Sequence, residues 1–341
     1  MIMELTELLK KLCELDGVSG NEKTVRDFIC SYIDGKCEYT VDRLGSIIAF
    51  KKGRKTPDKK LLVSAHMDEI GFIVTYISDE GAIKIAEVGG IDPRVVYGKR
   101  VRVGDNRILG VIGGKAIHNL TSDERGKVSE ISQMLVDIGT DAESVKKCVS
   151  IGDTVVFDSQ YLTFGNRFIK SKAIDDRAGC AIMMKLIDEE LEYDTYFTFV
   201  VQEEVGLRGA KAASFAVAPD MAVVLEATTA SDIPSLSGEK RVCEVNKGPV
   251  ISYMDRHTIY DRELYKLAFS AAEELNIPCQ TKTVVAGGND AGAISTARGG
   301  VRTIAISLPC RYLHSPSCVI SENDLGNTYI LTKKLLERMH E

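Results

Sequence analysis

The segment VSAHMDEIGF, residues 63–72, sets His66 and Asp68 at the end of a short run of apolar and small residues. An imidazole there can ligate a metal, and an acid two residues on can hold its other ring nitrogen and fix the tautomer. Similar groups recur at distant points. YFTFVVQ leads into Glu203 and Glu204, MAVVL into Glu226, and VRTIAISLP runs toward His314, while Asp175 and Asp176 stand together in KAIDDRAG. Imidazoles and carboxylates mixed in this way are ligands of zinc, cobalt or manganese, and two histidines with several acids suit a pair of ions better than one.

Each group also has a plainer reading. A lone histidine after a strand is more often packed or hydrogen-bonded than ligating, and Asp175 with Asp176 would serve as a helix cap and first-turn acid. Glu203 and Glu204 are harder to explain away. Neighbours in a regular strand point to opposite faces, so two adjacent acids with one role each fit a strand that has just left its sheet. Glu226 alone could be a charged strand exit and His314 a loop residue. His118 is expected outside the cluster, and His257 and His340 are expected to be solvated.

The elements that must position these groups follow from hydrophobic period. Leu5, Leu8, Leu9 and Leu12 make one helical face, and Ser19 with Glu22 has capping-box spacing ahead of Val25, Phe28, Ile29 and Tyr32. CEYTVDRLGSIIAF reads as two strands about Gly45, followed by the strand LLVSA. From about 71 to 165 short β-branched runs separated by glycine predict an inserted small barrel or sandwich. Beyond 172 helices alternate with the strands YFTFVVQ, MAVVLEA, QTKTVVA and VRTIAISL. That alternation predicts an α/β fold with a mixed, largely parallel sheet between helices, and ligands in such sheets bind beyond the carboxyl ends of the strands. A final helix, led by a serine cap, closes the chain. The expected domains are 1–70 with 165–341 for catalysis, interrupted by 71–164.

Composition narrows the partners. The 341 residues carry a net charge of -6 and a pI near 5.6, which argues against nucleic acid. No stretch is long and apolar enough for a membrane span, and the N-terminus lacks the pattern of a secretory signal. Nine scattered cysteines contain no C-x-x-C pair, consistent with reducing cytosol. There is no G-x-S-x-G elbow, Walker-type loop, G-x-G-x-x-G or H-E-x-x-H. A carboxylate-based, endoglucanase-like glycoside hydrolase would leave His66 and His314 unused, and the absence of tryptophan removes the usual sugar platform. A metal-dependent deacylase and a non-catalytic metal-binding scaffold are further readings.

Taken together, LDGVSGNE, SAHMDEIGF, KAIDDRAG, VQEEVGLRGA, GGNDAGAI and RYLHSP resemble, in order and approximate spacing, the M42 metallo-aminopeptidases, which include glutamyl aminopeptidases and the tetrahedral TET peptidases. The resemblance covers nearly the whole chain. It implies two divalent ions per subunit, zinc or cobalt first and manganese as a further candidate. His66, Asp175 and Glu226 would hold one ion and Asp175, Glu204 and His314 the other, with Asp175 bridging, Asp68 orienting His66 and Glu203 as general base. It departs at Glu226, where the family has aspartate, and at Asn289, where many relatives have threonine. The implied reaction is removal of the first residue from short peptides with a free N-terminus, in the cytoplasm. The implied assembly is a homo-oligomer, dimers formed through the inserted β-rich domain building a tetrahedral dodecamer.

Overall fold

The computed structural model describes residues 3–234 and 236–340. Helices α1 (Leu5–Glu14) and α2 (Lys23–Ile33) bury Leu8, Leu9 and Leu12, then Val25, Ile29 and Ile33, the stripes that helical spacing dictates. Strands β1 (Glu38–Val41) and β2 (Ile47–Lys51) form a hairpin, and β3 (Leu61–His66) is buried along its whole length. The chain then winds a closed six-stranded barrel from β4 (Gly71–Ile77), β5 (Ile83–Val88), β6 (Arg100–Val103), β7 (Ile108–Gly113), β8 (Leu135–Asp137) and β9 (Thr154–Phe157). Two short helices, α3 (Ser122–Arg125) and α4 (Ala142–Cys148), interrupt these strands. Alternate residues such as Val101 and Val103 point inward, where Phe72 meets Phe157 edge to face at 5.3 Å.

Strands β10 (Leu162–Phe164) and β11 (Phe168–Ser171) lead back to helix α5 (Ile174–Ile187), followed by β12 (Thr195–Val200), α6 (Arg208–Val217) and β13 (Met221–Thr229). The remaining elements are β14 (Val250–Ile251), α7 (Arg262–Glu274), β15 (Gln280–Thr281), α8 (Ala291–Ile294), β16 (Arg302–Cys310), β17 (Cys318–Ser321) and α9 (Glu322–Arg338). The central sheet runs β1-β2-β12-β3-β13-β16-β14-β15. Its four middle strands are mutually parallel and its flanks carry the antiparallel pairs. Helices α1, α2, α5, α7 and α9 cover one face, while α6 and α8 pack on the other. This is the mixed α/β sandwich with a small barrel that the periodicity predicted. Among the described residues no helix is long and apolar enough to cross a membrane.

Parallel register gathers the strand ends on one rim. His66 pairs with Val200, and the pairing of Val224 with Ser64, carried two residues further, sets Glu226 level with His66. Beyond β12 the backbone leaves the sheet at Gln202, which has a φ of 57°.

Three sequence expectations are corrected. Ser19 and Glu22 do not form a capping box; Glu22, the N-cap of α2, makes no capping bond to the helix, and both side chains turn toward the rim instead. QTKTVVA yields only the two-residue β15, because its neighbour β14 is equally short and Thr283 N–H is drawn to Val242 O. His340 is not solvated but half-buried against Tyr193, ring centroids 4.4 Å apart. The serine cap of the last helix is present, Ser321 Oγ accepting from Asn323 N–H.

Truncating Phe72 to alanine removes a fully buried ring from the barrel core, so urea unfolding should show a loss of about 3–5 kcal/mol. A change below about 1 kcal/mol would mean that the barrel adds little to the fold's stability.

Candidate metal centre

Asp68 is fully buried at the end of β3 and ties three chain segments together. Its Oδ1 accepts from Glu203 N–H at 3.0 Å, and its Oδ2 accepts from Glu204 N–H at 3.1 Å and from Ser19 Oγ at 2.6 Å. Glu22 Oε1 accepts from Gln202 N–H at 3.1 Å, so the N-terminal SGNE segment helps to hold the turn that carries both glutamates. Burial pushes the Asp68 carboxyl up, but His66, Ser19 and the Glu203 amide together bring it below its ordinary value.

His66 Nδ1 lies 3.1 Å from the Asp68 main-chain carbonyl and 3.5 Å from its carboxylate, so the backbone of Asp68 is the nearer partner of the ring. Donation by Nδ1 to that carbonyl leaves Nε2 for a ligand. Nε2 sits 3.4 Å from Asp175 Oδ1 and 3.9 Å from Glu226 Oε2. On the other side His314 Nε2 sits 3.5 Å from Asp175 Oδ2 and 3.3 Å from Glu204 Oε1, while its Nδ1 is 2.9 Å from Gly90 O. Asp175 therefore presents one oxygen to each histidine. Among the described residues three sets have ligand atoms within 4.8 Å of one another: His66 with Asp175 and Glu226, His66 with Glu203 and Glu204, and Asp175 with Glu204 and His314.

Asp175 and Asp176, joined by a cis peptide, part company in role. Asp176 is fully buried and its Oδ1 caps the helix, accepting from Gly179 N–H at 2.9 Å. The residues on either side are anchored: Lys172 Nζ bonds Glu69 at 2.6 Å, and Arg177 donates to the carbonyls of Met67 and Leu12. These bonds hold the start of α5 against β3 and α1.

Electrostatics favours added positive charge. Burial, reinforced by neighbouring acids, pushes Glu203 and Glu226 well above the carboxylate range and Glu204 up to about 7. For His314 burial acts downward, but Asp175 and Glu204 raise it to about 10. Asp175 Oδ1 and Glu226 Oε1 are buried and find no hydrogen-bond donor among the described residues. Orphaned buried oxygens within a histidine–carboxylate set fit a divalent cation.

Several contributors carry no clear signal in the sequence. Ser19 and Glu22 have the spacing of a helix cap, and Gly90 comes from the barrel segment. Gly89, at φ +83°, approaches so closely that an added Cβ would stand 3.2 Å from Glu204 Cβ; the Gly-Gly pair is its only sequence signal. Asp290, in GGND, is fully buried with both carboxylate oxygens lacking a partner among the described residues. His118 is exposed in a short turn outside these sets, and His257, though exposed, lines the same cleft as the cluster.

The M42 glutamyl aminopeptidase family profile matches residues 45–331. The chain belongs to the M42 family of aminopeptidases. Among curated relatives, a lysyl aminopeptidase of Pyrococcus furiosus is 33% identical over 344 residues, covering 98% of this chain and 97% of its own. The TET1 peptidase of Pyrococcus horikoshii, described as assembling into a tetrahedron or a large octahedral shell, superposes with a TM-score of 0.88 at 33% identity, over 98% of this chain and 100% of that one. A Thermotoga maritima structure described as an endoglucanase gives 0.80 at 38% identity, with 97% of each chain covered. This M42 chain is a peptide hydrolase of the aminopeptidase type, and its histidine–carboxylate groups suit the family's metal dependence.

Replacing Asp68 with asparagine puts an NH2 group against the Glu203 or Glu204 amide. Competition with a chelating dye should show metal affinity reduced roughly 10–100-fold; undiminished affinity would show that the three-segment tie does not support the ligands.

Proposed function

We propose that the chain is a dinuclear metallo-aminopeptidase that removes the N-terminal residue from short peptides. His66, Asp175 and Glu226 would hold one divalent ion, zinc, cobalt or manganese, and Asp175, Glu204 and His314 the other. The observation that carries this reading is Asp175, whose two oxygens face two different histidines. When bound, the ions supply Lewis acidity and a water acidic enough to ionise near neutral pH.

The chain's own residues do the rest. Glu203 shares a set with His66 and Glu204 but is not needed in either of the two triads assigned above, which leaves its carboxylate to take a proton from the attacking water and pass it to the leaving amine. Asp68 holds the backbone of Glu203 and Glu204 so that the two side chains take separate parts. Asp68 and Gly90 occupy the Nδ1 sides of the two imidazoles, keeping each Nε2 toward the centre. The acidic surroundings suit the free α-amine of a peptide.

Residues 1–70 and 165–341 would form the catalytic unit, and 71–164 an inserted unit for dimerisation. A homo-oligomer built from such dimers into a tetrahedral particle is supported by the likeness to the TET1 peptidase. The endoglucanase description of the Thermotoga neighbour supports glycoside hydrolysis as a second reading.

Two experiments separate these. Exhaustive chelation should abolish hydrolysis of aminoacyl anilides, and zinc, cobalt or manganese should restore it, with N-acetylated substrates untouched. Chelation-resistant cleavage of a glucan would favour the glycosidase, and cleavage of the acetylated substrate a deacylase. Separately, Glu203→Gln should retain its metal content by elemental analysis while turnover falls about 10²–10⁴-fold. Full activity in that variant would remove Glu203 from the mechanism.

A further inference from the structure

The cluster stands in a cleft of about 820 Å³. Outside the cluster, the acidic and basic side chains that face this cleft are Asp92, His257 and Lys282. Asp92 is already neutralised by its ion pair with Arg94. His257 is exposed, with one side of its ring against Gly288, where an added Cβ would lie 2.4 Å from Nδ1. Lys282 differs from both. It is half-buried, and among the described residues no carboxylate lies within ion-pair distance of its ammonium.

Its position is nonetheless fixed. Lys282 N–H donates to Ile251 O at 3.0 Å, and the next residue turns away to donate from its own amide to Val242 O at 3.2 Å. Nζ donates to Ala286 O at 3.1 Å. One main-chain carbonyl uses one of the three ammonium donors and leaves two for a ligand. A rim lysine with no role would extend into water, where its charge is best solvated. Here the ammonium is kept at the wall of the cleft, the counterpart of an anion that arrives with the substrate.

We propose that Lys282 recognises a carboxylate of the substrate, and that the peptides this chain takes begin with an acidic residue. This rests on the aminopeptidase reading and adds the substrate class to it. Membership of the family leaves that class open, since the profile is described as glutamyl while the Pyrococcus furiosus relative is lysyl. The same ammonium could meet the terminal carboxylate of a dipeptide, so the test keeps the two carboxylates apart.

The metal-loaded wild type, Lys282→Met and Lys282→Glu would be compared on glutamyl and glutaminyl p-nitroanilides, which lack a C-terminal carboxylate, and on a dipeptide against its amide. Wild type should favour the glutamyl anilide about tenfold in kcat/KM, mostly through KM. Lys282→Met should erase that preference and Lys282→Glu reverse it. If only the preference for dipeptide over amide responds, the carboxylate recognised is the C-terminus and the acidic first residue is overturned. If neither preference responds, the role of Lys282 is overturned. Calorimetric binding of glutamic acid α-amide and glutamine α-amide to metal-loaded Glu203→Gln protein, with and without Lys282→Met, reads the same contrast without turnover. Should wild type cleave no peptide, the aminopeptidase reading falls, while this binding contrast still decides Lys282.

Discussion

A single buried carboxylate, that of Asp68, holds together the segments that carry the histidine–carboxylate cluster. It joins the end of β3 to the turn after β12 and to the loop between α1 and α2, segments separated by 135 and 49 residues. In a low-dielectric surrounding, bonds to an anion are strong, and losing one partner leaves charge uncompensated. The placement of Glu203 and Glu204 is thus set by their main-chain amides. Their side chains follow.

Around this tie the fold concentrates strain. Ala173, Gln202 and His314 adopt positive φ, each costing roughly 1 kcal/mol in a residue with a Cβ. Several acids crowd two imidazoles in a buried space, and burial pushes their carboxyls up. The surrounding parallel strands, buried on both faces, and the anchored start of α5 over-determine these positions. The barrel also takes part, because Gly90 O orients His314 from a segment that supplies none of the candidate ligands.

Much of the scaffold is legible in the sequence because its signals are local. Helical stripes in α1 and α2, the buried runs of β3 and β13, and the short β-branched runs of the barrel each report their own burial. Expectation and structure part where local preference competes with a distant partner. Ser19 and Glu22 have ideal capping spacing, yet Asp68 and the Gln202 amide claim them, since a buried anion or amide gains more from a bond than an exposed helix end does. The β-branched residues after Thr281 have the composition of a strand but no neighbouring strand long enough to pair with.

By itself the sequence determined which chemical groups stand at which strand ends, because side-chain type is written directly and parallel strands bring their carboxyl ends to one rim. Tertiary structure decided between Asp175, which faces both histidines, and Asp176, which caps a helix. It also turned Lys282 into a cleft residue and brought Gly90 to His314. Those outcomes depend on contacts across a hundred residues or more, or on where one edge of a sheet stops pairing. No local period or composition encodes either.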